Sequence, residues 1–191
     1  MYPTFYIYEL LYIQNMPGIN HKWTIPVRYL PLQLTRKDRK KQLIGLTRSR
    51  KAYKNGKGTQ RYIPRPILSS FKNKKSKHIL KAEKMYNVER IRPNKELARK
   101  TNCSVAALKQ IVKKGEGAYY SSGSRPNQTA QSWGYARLAS AITGGKASAI
   151  DYSILERGCD HRTSRAYRLA KSSSFGRRHT AKKTFAALIV E

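Results

Sequence analysis

The clearest apolar rhythm in the chain lies between residues 93 and 158. Val105, Leu108, Ile111 and Val112 share one face of a helix that Ser104 is placed to cap. Tyr135, Leu138, Ala139 and Ile142 repeat at helical spacing, in a helix opened by Gln128 or Thr129 and stopped by Gly144-Gly145. A further helix over about 146–157 carries Ala147, Ile150 and Ile154 and ends at Gly158. These elements predict a mainly α protein built on a small helical domain, residues 93–158. A domain of this size folds alone only marginally.

On either side the pattern thins. Residues 35–92 predict a basic arm with two helices. One runs from Thr35, its N-cap, to about Tyr53, ahead of the turn at Asn55-Gly56. Its apolar face is only Leu43, Ile44 and Leu46, so it needs a partner to be stable. The other runs from Ser76 to Tyr86, with Ile79, Ala82 and Tyr86 on one face. Residues 159–191 read as a second extended basic arm, interrupted by serines and ending in the apolar run 185–190. That run suits a strand added to a neighbour's sheet edge, or equally a strand or short helix within its own chain.

Residues 1–34 form an apolar, aromatic-rich segment. Its start, MYPTFYIYELLYI, is too short to span a bilayer, contains Glu9 and lacks the basic start of a signal peptide. It needs cover, from its own domain or from a neighbouring subunit.

Charge changes the picture most. The 191 residues include 40 Lys or Arg and 10 Asp or Glu, a net charge of +30. The hydrophobic fraction of 39% is below the roughly 45–50% of globular chains, a figure that also counts glycine. Self-repulsion on this scale excludes a self-sufficient globule and calls for a polyanion or an acidic partner. The charge is segregated. Residues 93–158 carry ten basic and four acidic side chains, a net of +6, whereas 36–81 hold seventeen basic residues and one acid.

Arg36, Lys37, Arg39, Lys40, Lys41, Lys72, Lys74, Lys75, Lys77, Arg177 and Arg178 are therefore the candidate contacts to a partner or to nucleic acid. Tyr53, Tyr62, Phe71, Tyr86, Tyr167 and Phe175 interrupt the basic tracts. Cations that release counterions and rings that stack on bases suit nucleic acid. Acidic protein surfaces in a large assembly satisfy the same charges.

Residues 94–114 have the cadence of a helix-turn-helix. Ala98 is small where the helices approach, Asn102 tolerates the left-handed turn and Ser104 caps the second helix. Leu108 and Ile111 then bury that helix, and Lys109, Gln110, Lys113 and Lys114 fall on or near exposed faces. A plain helical hairpin has the same pattern. Residues 115–126, with Gly115, Gly117 and Gly123, read as a hydrogen-bonded structural loop over Trp133, without the order of a phosphate-binding P-loop. Arg125 and Arg137 are expected to pair with Glu116, Asp151 or Glu156.

Enzymatic chemistry finds no convergent set of nucleophile, base and orienter. Cys159-Asp160-His161 are only sequence neighbours, and HExxH, GxSxG and paired-acid patterns are absent. Cys103, Cys159 and the four histidines lack zinc spacing, so no metal or cofactor is expected. A disulfide framework is therefore not expected, and a reducing compartment is. The two glycosylation patterns, at Asn102 and Asn127, read as coincidence in a chain without a secretory signal.

The stretch GEGAYYSSGSRPNQTAQSWGYARLASAITGGKASAID, residues 115–151, resembles the signature of a domain of unknown function found in large nucleocytoplasmic DNA viruses. Algal viruses are the notable hosts of that domain, and it has relatives in phages. The similarity extends over about 29–159, including FKNKKSKHILKAEKMYNV. The resemblance implies a viral origin and carries over no catalytic residue. The expected function is a structural virion protein, a minor capsid or cement protein linking other capsid proteins through basic arms, located in the capsid and without a membrane span. The alternative is a virion protein that binds or condenses viral DNA.

Overall fold

The structure is a computed structural model and describes residues 25–57, 61–175 and 187–188. Among the described residues there are eight α-helices: α1 (Arg36–Asn55), α2 (Lys77–Tyr86), α3 (Lys95–Thr101), α4 (Val105–Ser122), α5 (Ala130–Ile142), α6 (Lys146–Ile150), α7 (Tyr152–Gly158) and α8 (Arg165–Phe175). Two short strands, β1 (Ile25–Pro26) and β2 (Ala187–Leu188), pair antiparallel, with Ile25 opposite Leu188 and Pro26 opposite Ala187. These two residues of the apolar terminal run thus find their strand partner within the chain. The segment 1–13, Arg177 and Arg178 lie outside the described residues.

Local chemistry fixes the helix starts. Thr35 Oγ1 accepts from Asp38 N, Asn94 Oδ1 from Leu97 N and Ser104 Oγ from Ala107 N. Thr129 and Ser132 form a reciprocal capping box that opens α5. The expected starts at Thr35, Ser76, Ser104 and Thr129 all stand. Asn87 and Asn102 end α2 and α3 in the left-handed conformation, at φ 48° and 51°.

Three elements differ from expectation. The glycine-rich stretch from 115 is not a loop: α4 continues through Gly115 and Gly117 to Ser122. The reason is the crossing of α4 with α5, where a Cβ on Gly115 would lie 2.6 Å from Gly134 Cα. The expected helix over 146–157 breaks at Asp151 into α6 and α7. Helices also carry much of what was expected as extended basic chain, including α8, whose Ala166, Tyr167 and Ala170 are buried.

The core does not stop at residues 93 and 158. Leu97, Leu108, Ile111, Leu138, Ile142 and Leu155 are fully buried at its centre, and Ala82 and Tyr86 of α2 join them with the α8 residues. Tyr86 Oη donates to Ile142 O at 2.6 Å, and burial pushes its phenol up to about 12. A second cluster joins Ile25, Tyr29, Leu30, Leu43 and Leu46, with Trp133 edge-on to Tyr29 at 6.0 Å. The partner that α1 needs is therefore its own chain. Ile44, on its other side, stays 38% exposed.

The connector after α1 is tied down by side chains. Asn127, at φ 53°, accepts from Leu68 N and donates to the carbonyls of Leu68 and Phe71. Buried Asp38 accepts from both Ser70 N and Ser70 Oγ, at 2.9 and 2.7 Å. These hydrogen bonds hold the Asp38 carboxyl below its usual range.

The expectation of no disulfide is corrected: Cys103 and Cys159, 56 residues apart, form one. The fold brings them together because the α3–α4 turn runs antiparallel to the end of α7. Ser104 N donates to Gly158 O at 2.7 Å, and Asp160 N to Asn102 O at 2.9 Å. Spacing in the sequence carries no sign of that approach.

Candidate nucleic-acid interface

Helix α4 divides cleanly into two faces. Ala107, Leu108, Ile111, Val112, Gly115 and Tyr119 are buried. Ala106, Lys109, Gln110, Lys113 and Lys114 are exposed, at spacings that place them along one stripe. The helix-turn-helix reading located this stripe correctly, with Asn102 left-handed at the turn and Ser104 as the cap.

The stripe borders a groove where the C-terminal end of α1 meets α4. Tyr53, Gln110, Lys113, Lys114, Gly117, Ala118 and Ser121 line a volume of about 540 Å³. Gly117 forms part of the floor, where a Cβ would meet Tyr53 Oη at 3.2 Å. The two lysines differ electrostatically. Lys114 Nζ is 2.8 Å from buried Asp151, whose carboxylate also receives Arg137 Nε and Nη2 at 2.7 and 2.8 Å. Lys109 and Lys113 have no ion-pair partner among the described residues, so their charge is open to an incoming anion.

Behind the groove lies a tyrosine–arginine cluster. The Tyr53 and Tyr120 rings are parallel with centroids 6.4 Å apart, and Tyr62 and Tyr119 meet Tyr120 edge-on at 5.0 and 4.9 Å. The Arg61 guanidinium sits 4.7 Å from the Tyr53 ring centroid, and that of Arg65 4.2 Å from Tyr119. Arg65 also donates to Ser124 Oγ at 2.6 Å and to Tyr119 O. Burial pushes the Tyr119 and Tyr120 phenols up and draws the Arg65 guanidinium down from its ordinary value. The Tyr119 and Tyr120 phenols therefore stay neutral near pH 7. Sequence reasoning missed Arg61, Arg65, Tyr119 and Tyr120, although alternating arginine and tyrosine was a readable signal.

The other expected contacts scatter. Arg36, Lys37, Lys40 and Lys41 are exposed at the start of α1. Tyr53 is sixteen residues beyond Lys37, about 24 Å along the helix. Lys72, Lys74, Lys75 and Lys77 are exposed in the run into α2. Ser70 binds Asp38, which brings that run to the same end of α1.

One contact is corrected. Arg39 is buried and donates to Leu32 O at 3.2 Å, because its side chain is needed under the 30–34 turn. Lys75 and Lys41 stay exposed, each with an acid beside it, Glu83 at 2.7 Å and Asp38 at 3.9 Å. Of the expected loop set, Gly117 is helical and Gly123 caps α4 at φ 99° against Tyr29. Trp133 packs on Tyr29, and Arg125 is exposed with no acid partner among the described residues. Arg137 takes the expected pairing with Asp151.

Among the described residues no three His, Cys, Asp or Glu side chains are grouped to hold a metal ion, and no helix is long and apolar enough to cross a membrane. No curated protein and no solved structure matches this chain. Residues 26–156, the span that holds α1, the signature stretch and the groove, match a family of unknown function, DUF5824, and the chain belongs to that family.

Proposed function

We propose that the protein is a component of the particle of a large DNA virus, and that its folded basic surface binds the phosphates of nucleic acid. The binding half of this reading is carried by the α4 stripe. Lys109, Gln110 and Lys113 are exposed on a rigid helix, and neither lysine has an acid partner among the described residues. The particle half is supported by the resemblance of residues 115–151 to sequences of large DNA viruses. The Cys103–Cys159 disulfide suits a mature particle, since disulfides persist in oxidising surroundings.

The sequence alone places a capsid-linking role first, on the strength of long basic arms. Helices α1, α2 and α8 pack on the core, so the basic residues of 36–55, 77–86 and 165–171 sit on a folded body. A fixed array of cations favours a regular polyanion over draped contacts along neighbours.

The test is the salt dependence of duplex DNA binding, followed by fluorescence anisotropy. Eight neutralised phosphates give a log–log slope of about −7, and the double change Lys109→Ala, Lys113→Ala is expected to reduce it by about two. A flat salt response overturns the proposal. One observation favours the capsid-linking reading: Ile67 and Ile150 are apolar side chains 86% and 62% exposed. A flat response, together with density for the chain at capsomer seams in purified particles, would put that reading in its place.

A further inference from the structure

From the groove between α1 and α4 we infer that the protein holds one nucleotide of a single strand there, with its phosphate at Lys113 and its base edge at Gln110. This deepens the nucleic-acid reading and rests on it. The volume of about 540 Å³ lies within the range of small-ligand sites, roughly 300–1,000 Å³. A base can lay its face against such a wall only when it is unstacked, as in a single strand.

The lining matches the parts of a nucleotide. Gly117, Ala118 and the Tyr53 ring give an apolar wall for a base. Gln110 brings an amide with both donors and an acceptor, the set that meets a base edge. Ser121 adds a hydroxyl. The lining contains no carboxylate. Of the acids beside it, Asp151 is fully buried and already faces two cations, Arg137 and Lys114, and Glu116, next to Gly117 on α4, lies outside the lining. Lys114 is thereby occupied, which leaves Lys113 as the lining cation free to meet a phosphate.

The wall is also preorganised. Arg61 lies over the Tyr53 ring, Tyr120 lies parallel to it, and the Tyr53 hydroxyl rests on Gly117. A site with fixed walls loses little freedom on binding. Among the basic tracts described, this groove is where an unpaired lysine, an exposed amide and an aromatic ring meet in one concavity.

The experiment compares a labelled dodecamer of thymidylate with a duplex, using Gln110→Ala, Lys113→Ala and, as a control of equal charge on α2, Lys84→Ala. All three positions are exposed, so melting curves like that of the parent protein are expected. Gln110→Ala removes no charge. It is expected to weaken binding of the single strand about tenfold and of the duplex far less, with Lys113→Ala weakening the single strand well beyond Lys84→Ala. Photo-crosslinking with 5-iododeoxyuridine in the oligomer is expected to mark the peptide containing Tyr53. Unchanged single-strand binding by Gln110→Ala, or crosslinks only to peptides outside the groove, overturns the groove assignment and leaves the polyanion reading standing. Failure of the parent protein to bind either nucleic acid overturns both.

Discussion

Asp151 shows how single residues hold this basic chain together. Its carboxylate is fully buried at the break between α6 and α7, with Arg137 on both oxygens and Lys114 on one. A buried charge is tolerable only when it is matched, and removing one member of such a group typically costs about 3–5 kcal/mol. Asp151→Ala is expected at the low end, about 3 kcal/mol, because Lys114 is 44% exposed and can turn to water. Urea denaturation measures this, and a loss under about 1 kcal/mol, the range of exposed pairs, would show that the bridge contributes little. The pairing of Arg137 with Asp151 was legible because acids are scarce and few partners existed. Arg125 was grouped with it on the same grounds, but the loop after Gly123 points it to solvent.

At the scale of elements, α4 and α5 cross in close contact. A Cβ on Gly134 would lie 2.8 Å from Val112 Cγ1 and 2.9 Å from Val112 O. The second contact is backbone and cannot turn aside. Gly134→Ala must therefore push the two helices apart, at a cost of about 1–3 kcal/mol by overpacking, partly offset by the better helix propensity of alanine. A lower melting temperature is the expected readout, and an unchanged one would mean that the crossing relaxes freely. This contact also explains the largest misreading of the sequence. Glycines commonly mark turns, so 115–126 read as a loop, whereas Gly115 and Gly134 serve a helix crossing that only the tertiary structure reveals. The helices with hydroxyl caps, α1, α2, α4 and α5, were legible at their starts. Helix α8 was not. Its Arg, Lys and Ser content masks the one face, Ala166, Tyr167 and Ala170, that it buries.

At the scale of the whole molecule, the +30 charge and the disulfide act in opposite directions. Most of the positive charge has no acid to meet, so the compact state bears a self-repulsion that the core must overcome. The Cys103–Cys159 bond ties the α3–α4 turn, at the base of the basic stripe, to the end of α7. By closing 56 residues into a loop, it removes freedom from the unfolded chain worth about 4 kcal/mol in the chain-entropy account. For a chain of this length that corresponds to a fall in melting temperature of about 8–16 °C on its loss. The paired replacement of Cys103 and Cys159 by serine should show this loss in differential scanning calorimetry at low salt. Raising the salt should recover part of it in the variant, because screening relieves the repulsion that the crosslink no longer helps to withstand. A polyanion should recover more, since a ligand present at 100 times its dissociation constant stabilises the folded state by about 2.7 kcal/mol. A variant that melts with the parent protein would mean that packing around Leu108, Ile111 and Leu155 alone holds the turn in place. A loss that neither salt nor polyanion reduces would separate the disulfide from the charge.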